Sequence, residues 1–163
     1  MKKAMVEYTQ NPKNDELYTP PEAIKPLLRY IDPQWFIWEP TDPGHSKITE
    51  FIRQNGNSCF GTHENFFEYE PDFRYDAIIT NPPYSLKDDF LERCYKLGKP
   101  FALLLPTTAL GEQRRNKLYR RYGIQLLVLD KRIEFSGKGG VWFHVSWFTW
   151  GILPRDLVFA EVR

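Results

Sequence analysis

The sequence has little of what several functional classes require. It holds two cysteines, Cys59 and Cys94, among 163 residues. That is too few for a disulfide framework or a thiolate metal site, and buried or half-buried free thiols are expected. The three histidines, His45, His63 and His144, are scattered. They form no metal-ligand spacing and no Ser-His-Asp set, so no metal site is expected. No apolar run approaches the roughly 18 residues of a membrane span. The start, Met1 to Glu7, lacks the apolar stretch of a secretory signal. A reduced, cytoplasmic setting fits these absences. Nor is there an excess of one charge: 22 Lys and Arg stand against 21 Asp and Glu. That balance argues against bulk, non-specific coating of nucleic acid but permits a local basic patch. Internal repeats and low-complexity tracts are missing.

What is present is a chain with 42% hydrophobic residues, enough for one packed domain over 1–163 with a polar arm over 1–17. Thr19-Pro20-Pro21 opens a helix carrying Ile24, Leu27, Leu28 and Ile31, although Pro26 interrupts its pattern. Trp35 to Trp38 reads as the first strand. Ser46 to Asn55 reads as a helix capped by Ser46 and closed by Gly56. A weak strand covers Ser58 to Phe60, and a strong one Tyr75 to Thr80. A helix spans Lys87 to Leu97 before Gly98, and a strand spans Phe101 to Leu105. A basic helix runs from about Leu110 to Tyr122, followed by a strand from Ile124 to Leu129. Val141 to Ile152 and Leu157 to Val162 are strand-like. Apolar strands alternating with helices predict an α/β fold, a mostly parallel sheet with helices on both faces. The final helix-free stretch predicts an antiparallel pair at one edge.

The strand at 75–80 runs directly into Asn81-Pro82-Pro83-Tyr84. Consecutive prolines forbid both helix and central strand, so the chain leaves the sheet there. Ligands of open α/β sheets bind beyond these carboxyl ends. The motif suits chemistry on an exocyclic amine, whose lone pair is delocalised and a poor nucleophile. An Asn oxygen and a carbonyl from a proline-stiffened segment supply two acceptors for the amine hydrogens. They hold the nitrogen nearer tetrahedral, with its lone pair directed outward. Tyr84 offers a flat face for a planar target. The alternative is a strand-ending turn that happens to use Asn and Pro.

Asn81-Pro82-Pro83-Tyr84 after an apolar strand resembles the catalytic motif of Rossmann-like amino-methyltransferases. Within that class the chain is most similar to the small phage-type adenine-specific DNA methyltransferases, over roughly residues 15–150. Tyr18-Thr19-Pro20 resembles their N-terminal cofactor-contacting motif. Trp38-Glu39-Pro40 resembles the start of their cofactor loop, and Asn65-Phe66 sits where relatives carry Asp-Phe. The resemblance implies a Rossmann-like fold and S-adenosyl-L-methionine as cofactor. It implies contacts from Tyr18, Thr19, Pro20, Glu39, Pro40, Asp42, Gly44, Asn65 and Phe66, with Asn65 accepting a hydrogen bond from the cofactor's adenine amine. It also implies methyl transfer to adenine in DNA, and a phage-encoded enzyme acting in a host cell. The loop Thr41-Asp42-Pro43-Gly44-His45-Ser46 departs from the family's glycine-rich run by keeping one glycine. Asp42 is placed to meet the cofactor's ammonium group, or else is a turn or cap residue. RNA adenine or protein glutamine as substrate, and an inactive binding module, are the alternative readings.

On the substrate side, Arg114, Arg115, Lys117 and Arg121 crowd one helix, and Lys138 follows in a glycine-rich loop. These residues are candidates for phosphate contacts with DNA, or with RNA. The alternative is a solvated face partly neutralised by Glu112. The dense aromatics of 142–150 read as a strand buried on both sides.

Overall fold

A computed structural model of the chain describes residues 19–135 and 143–163. Tyr18, the polar arm, and Lys138 with its glycine-rich loop lie outside the described residues. The first helix, α1 (Pro21–Leu28), starts with proline in its first turn, where a missing N–H costs nothing. It tolerates the buried Pro26 close to its end. The strand β1 (Phe36–Glu39) is followed by α2 (Lys47–Gln54) and β2 (Ser58–Gly61). Then come β3 (Ala77–Thr80), a 3-10 turn over Tyr84–Leu86, and α3 (Lys87–Leu97). Gly98 ends α3 in the left-handed conformation, φ 68°, which a residue without a Cβ adopts freely. The strand β4 (Phe101–Pro106), a 3-10 turn over Thr107–Leu110, and α4 (Gln113–Tyr122) follow. The chain closes with β5 (Gln125–Leu129), β6 (Val145–Trp150) and β7 (Leu157–Ala160).

The strands form one seven-stranded sheet in the order β2-β1-β3-β4-β6-β5-β7. All neighbouring pairs are parallel except those of β6, which runs antiparallel to both β4 and β5. The antiparallel strand therefore lies inside the sheet, inserted between β4 and β5, while β7 takes the outer edge parallel to β5. The burial of β6 on both sides reflects that position: Trp147 and Phe148 are both fully buried, on opposite faces.

Two apolar layers sandwich the sheet. One joins α1 and α2 to Ile37, Ile79, Leu104, Leu127 and Trp147. Trp147 Nε1 reaches across to donate to Ala23 O at 2.7 Å, tying α1 to the sheet. The other joins α3 to Trp38, Phe66, Ile78, Phe101, Leu103 and Phe148. Both layers leave the carboxyl ends of β1, β3 and β4 side by side. Helices on both faces of a mostly parallel sheet are as the sequence predicts. No helix among the described residues is long and apolar enough to cross a membrane.

Candidate active site at the carboxyl ends of the parallel strands

Where β1 ends, Glu39 is 2% exposed and its carboxylate is fully engaged. Oε1 accepts from Thr41 N at 2.9 Å, Thr41 Oγ1 at 3.0 Å and Thr80 Oγ1 at 2.5 Å, and Oε2 accepts from Ser46 Oγ at 2.7 Å. Burial pushes this carboxyl above its ordinary value despite those bonds, and neighbouring Asp42 adds to the rise. Glu39 thus locks β1 to β3 through Thr80 and anchors the loop leading to α2. Ser46, expected as a helix cap, makes no side-chain cap bond to α2. Its hydroxyl is given to Glu39 instead.

The loop before α2 is organised by Asp42. Its Oδ1 accepts from Gly44 N at 2.7 Å and Ser46 N at 2.9 Å, and its Oδ2 accepts from Thr49 Oγ1 at 2.6 Å. Burial alone would raise this carboxyl, but the bonds from Thr49 and the loop amides outweigh it and leave it below its ordinary value. Gly44, at φ 108°, provides the turn. The loop closes on β2 as well, through Thr62 N to Glu39 O and Asp42 N to Thr62 O. A Cβ on Gly61 would stand 2.2 Å from Asp42 Oδ2, so only glycine admits Asp42 there.

Two buried carboxylates therefore sit together with no lysine or arginine ion pair among the described residues. The negative charge that Asp42 keeps through its hydrogen bonds suits a cationic ligand, and S-adenosylmethionine carries both a sulfonium and an ammonium. Asn65 adds a second indication. Its Oδ1 accepts from Phe67 N at 3.2 Å, which fixes the amide's orientation. Its Nδ2 is buried and lacks a hydrogen bond. The open group is therefore a donor, where the sequence led us to expect an acceptor for an adenine amine. It suits a ring nitrogen of a purine. Asn65, Phe67, Asp89, Glu92 and Arg93 line a surface depression of about 500 Å³.

Phe66 is core and not cradle. It is fully buried, tilted against Trp38 at 5.4 Å and stacked on Phe90 at 4.6 Å. Its ring has no face left for a cofactor, and its contribution is to place Asn65. Pro40 is buried beside the loop, and Pro20 stands at the N-cap of α1.

At the end of β3 the motif leaves the sheet between β1 and β4. Asn81 Nδ2 donates to Thr19 Oγ1 at 3.1 Å. Two residues expected separately from the sequence, Thr19 and Asn81, are thus in direct contact across 62 residues. Pro82 and Pro83 are buried. Pro83 O accepts from Leu86 N at 2.9 Å to start the following turn. Tyr84 is half-buried and meets Phe143 edge to face at 5.7 Å. Its hydroxyl is buried without a hydrogen bond, and burial pushes the phenol well up.

The basic helix α4 is less available than its sequence suggests. Arg115 is 7% exposed. Its guanidinium donates to Ala109 O, Gly111 O and Asp88 Oδ1 at 2.8, 2.6 and 2.6 Å, so it holds the loop after β4 against α3. Arg114 is bound to Glu92 and Asp89. Lys117, Arg120 and Arg121 remain exposed, with Arg121 lying over the Tyr122 ring at 5.0 Å. Sequence reasoning missed Thr41, Thr49, Thr80 and Gly61, which hold the two acids. Gly61 alone left a signal, as a glycine closing a strand.

No family model matches the chain, and no curated protein does. Solved structures do match in fold. A modification subunit of a putative type I restriction enzyme from Vibrio vulnificus aligns with TM-score 0.59 at 15% identity, over 97% of this chain and 50% of that one. A putative class I S-adenosylmethionine-dependent methyltransferase from Listeria monocytogenes aligns with TM-score 0.55 at 11% identity, over 98% of this chain and 71% of that one. The N1-methyltransferase of Burkholderia thailandensis that acts on 1,6-didemethyltoxoflavin, bound to S-adenosylhomocysteine, aligns with TM-score 0.52 at 12% identity, over 90% and 84%. The chain spans about half the length of the restriction-enzyme subunit. With its strand order and its helices on both faces, the chain shares the Rossmann-like fold of S-adenosylmethionine-dependent methyltransferases.

Proposed function

We propose that this chain transfers a methyl group from S-adenosylmethionine to an exocyclic amine, with adenine in DNA as the target. The observation that carries the reading is the placement of Asn81-Pro82-Pro83-Tyr84. It leaves the sheet beside the buried acids Glu39 and Asp42, with the Asn81 amide bonded to Thr19. The restriction-enzyme modification subunit among the fold relatives supports a DNA target.

When bound, the cofactor supplies an electrophilic methyl group. The chain's own residues do the rest. Asp42 would provide negative charge for the cofactor's ammonium, with Glu39 holding the loop, and Asn65 Nδ2 would donate to its adenine ring. Asn81 Oδ1 and the Pro82 carbonyl accept the hydrogens of the target amine and draw its lone pair out of conjugation. Tyr84 stacks against a base swung out of the helix. The exposed Lys117 and Arg121 hold phosphates, while Arg115 positions the loop they flank. The amine proton leaves to solvent after transfer.

The test is methyl incorporation from labelled S-adenosylmethionine into duplex DNA, RNA and a glutamine-containing peptide offered in parallel. DNA takes up label and Asn81→Ala abolishes it without loss of fold. Label confined to RNA or peptide removes the DNA assignment. Absence of binding to S-adenosylmethionine removes the enzymatic one.

A further inference from the structure

The outer edge of the sheet carries a self-complementary pattern. In the parallel β5–β7 pair, Leu126 N donates to Asp156 O and Asp130 N donates to Ala160 O, while Val162 N donates to Asp130 Oδ1. The even-numbered residues of this segment thus bond inward to β5. By the alternation of a β-ladder, Leu157, Phe159 and Glu161 turn their backbone N–H and C=O groups outward to the open edge. Edge strands are ordinarily blunted by lysine, proline or a bulge. The strand β7 reads Leu157-Val158-Phe159-Ala160 and has none of these. Its outward-bonding residues are also its exposed apolar ones, Leu157 at 49% and Phe159 at 73% exposure, the latter the most exposed large hydrophobic among the described residues. The opposite edge differs: Phe60 of β2, at 37% exposure, is stacked on Phe73 at 4.9 Å and Phe36 at 6.3 Å.

We propose that β7 pairs antiparallel with β7 of a second copy of this chain, about a two-fold axis at Val158, giving one sheet continuous across both copies. The register follows from the residues. Outward-bonding residues must meet outward-bonding residues, so odd positions oppose odd positions. An axis at Val158 sets Leu157 against Phe159 and Arg155 against Glu161 of the second copy, and the same pairs recur in reverse by symmetry. An axis at Phe159 would set Arg155 against Arg163 and leave Leu157 opposite Glu161. An axis at Leu157 would leave Arg155 opposite Phe159. Only the Val158 register matches charge with charge and apolar with apolar. Arg155 already lies along this edge, with Nε donating to Leu157 O at 3.2 Å. Glu161 is engaged by Arg163, but both side chains are largely exposed, and such a pair exchanges partners at little cost. In the joined sheet Leu157 and Phe159 of both copies extend the apolar strip of their β5 neighbours Leu126 and Val128.

A contact of one strand edge lies at the small end of specific interfaces, so dissociation at roughly micromolar concentration is expected. Sedimentation velocity of the full chain across about 1–200 µM reads it directly, and the expected result is a monomer–dimer equilibrium. Phe159→Lys raises the dissociation constant at least about tenfold with an unchanged melting temperature, and Leu157→Asp does the same. Arg155→Glu alone and Glu161→Arg alone each weaken the dimer, and the double exchange restores it, because both pairs re-form with reversed sign. A chain monomeric at every concentration overturns the proposal and leaves the edge to a different protein. So does a dimer indifferent to Phe159→Lys, or a double exchange that fails to recover. The proposal does not depend on the methyl-transfer reading, since neither outcome involves the active site.

Discussion

Gly61→Ala is the most informative single substitution for the loop beneath the site. Gly61 closes β2 with a φ outside the left-handed region, so alanine meets no backbone penalty of its own. What it meets is Asp42, whose Oδ2, Cγ and Cβ would lie 2.2, 2.7 and 2.8 Å from the new methyl group. Asp42 cannot swing aside freely, because it is bound to Thr49 Oγ1 and to the amides of Gly44 and Ser46. Overpacking of this kind costs about 1–3 kcal/mol, and losing one of the Asp42 hydrogen bonds costs a further ~1 kcal/mol. The sum, about 2–4 kcal/mol, corresponds to a fall in Tm of roughly 5–15 °C for a chain of this length. Thermal unfolding followed by circular dichroism measures it, with a double-mutant cycle as the control. With Asp42→Ala already in place the obstacle is gone, and adding Gly61→Ala should cost less than about 1 kcal/mol. A Gly61→Ala protein within about 1 °C of wild type would refute the packing argument. Equal costs in both backgrounds would show that Asp42 is not the obstacle.

Other outcomes follow from the same geometry. Arg115→Met should destabilise by about 2–4 kcal/mol in denaturant titrations, because it strips donors from Ala109 O and Gly111 O and abandons Asp88, whereas Arg114→Ala should stay within about 1 kcal/mol. Lys117→Ala with Arg121→Ala should leave Tm unchanged but weaken DNA binding and lower its salt slope by about 2. Asp42 lies below its ordinary value of 3.8 in the folded chain, so its contribution is present above that pH and lost as pH falls through the lowered value. The stability gap between wild type and Asp42→Asn should therefore be full near neutral pH and shrink on acidification. A gap that widens in acid would contradict the assignment.

The helices and strands were legible where periodicity and punctuation agreed. The helix α3 occupies Lys87–Leu97 and stops at Gly98, as the sequence indicated, because a left-handed glycine is a local signal. The exit of the chain at Asn81-Pro82 was legible for the same reason: proline forbids continuation. The position of β6 was not, because a strand's neighbours depend on contacts remote in sequence, here with β4 some 40 residues earlier. The fate of Arg115 was hidden in the same way. Its sequence neighbours Arg114 and Lys117 group it among the cations crowding one helix, yet its partners are a carboxylate 27 residues away and two carbonyls of a preceding turn. Helix α4 also begins later than expected, at Gln113, because Glu112 sits at φ 136° and caps it with its own side chain, accepting from Arg114 N and Arg115 N. The strain at such a residue is offset by those bonds.

The loop Thr41 to Ser46 is organised by Asp42, which the sequence offered as a turn residue. The loop lacks a glycine-rich run because a carboxylate organises its amides in place of backbone freedom. That substitution explains why the second glycine of consequence, Gly61, lies on the neighbouring strand. There it makes room for the carboxylate and does not turn the chain.

Product analysis after reaction with DNA tests the central claim most directly. DNA incubated with the chain and methyl-labelled S-adenosylmethionine is digested to nucleosides and resolved by mass spectrometry. The account predicts label on the exocyclic nitrogen of adenine, and none from Asn81→Ala protein of unchanged melting temperature. Label on a ring carbon or an oxygen, or undiminished transfer by Asn81→Ala, would contradict it.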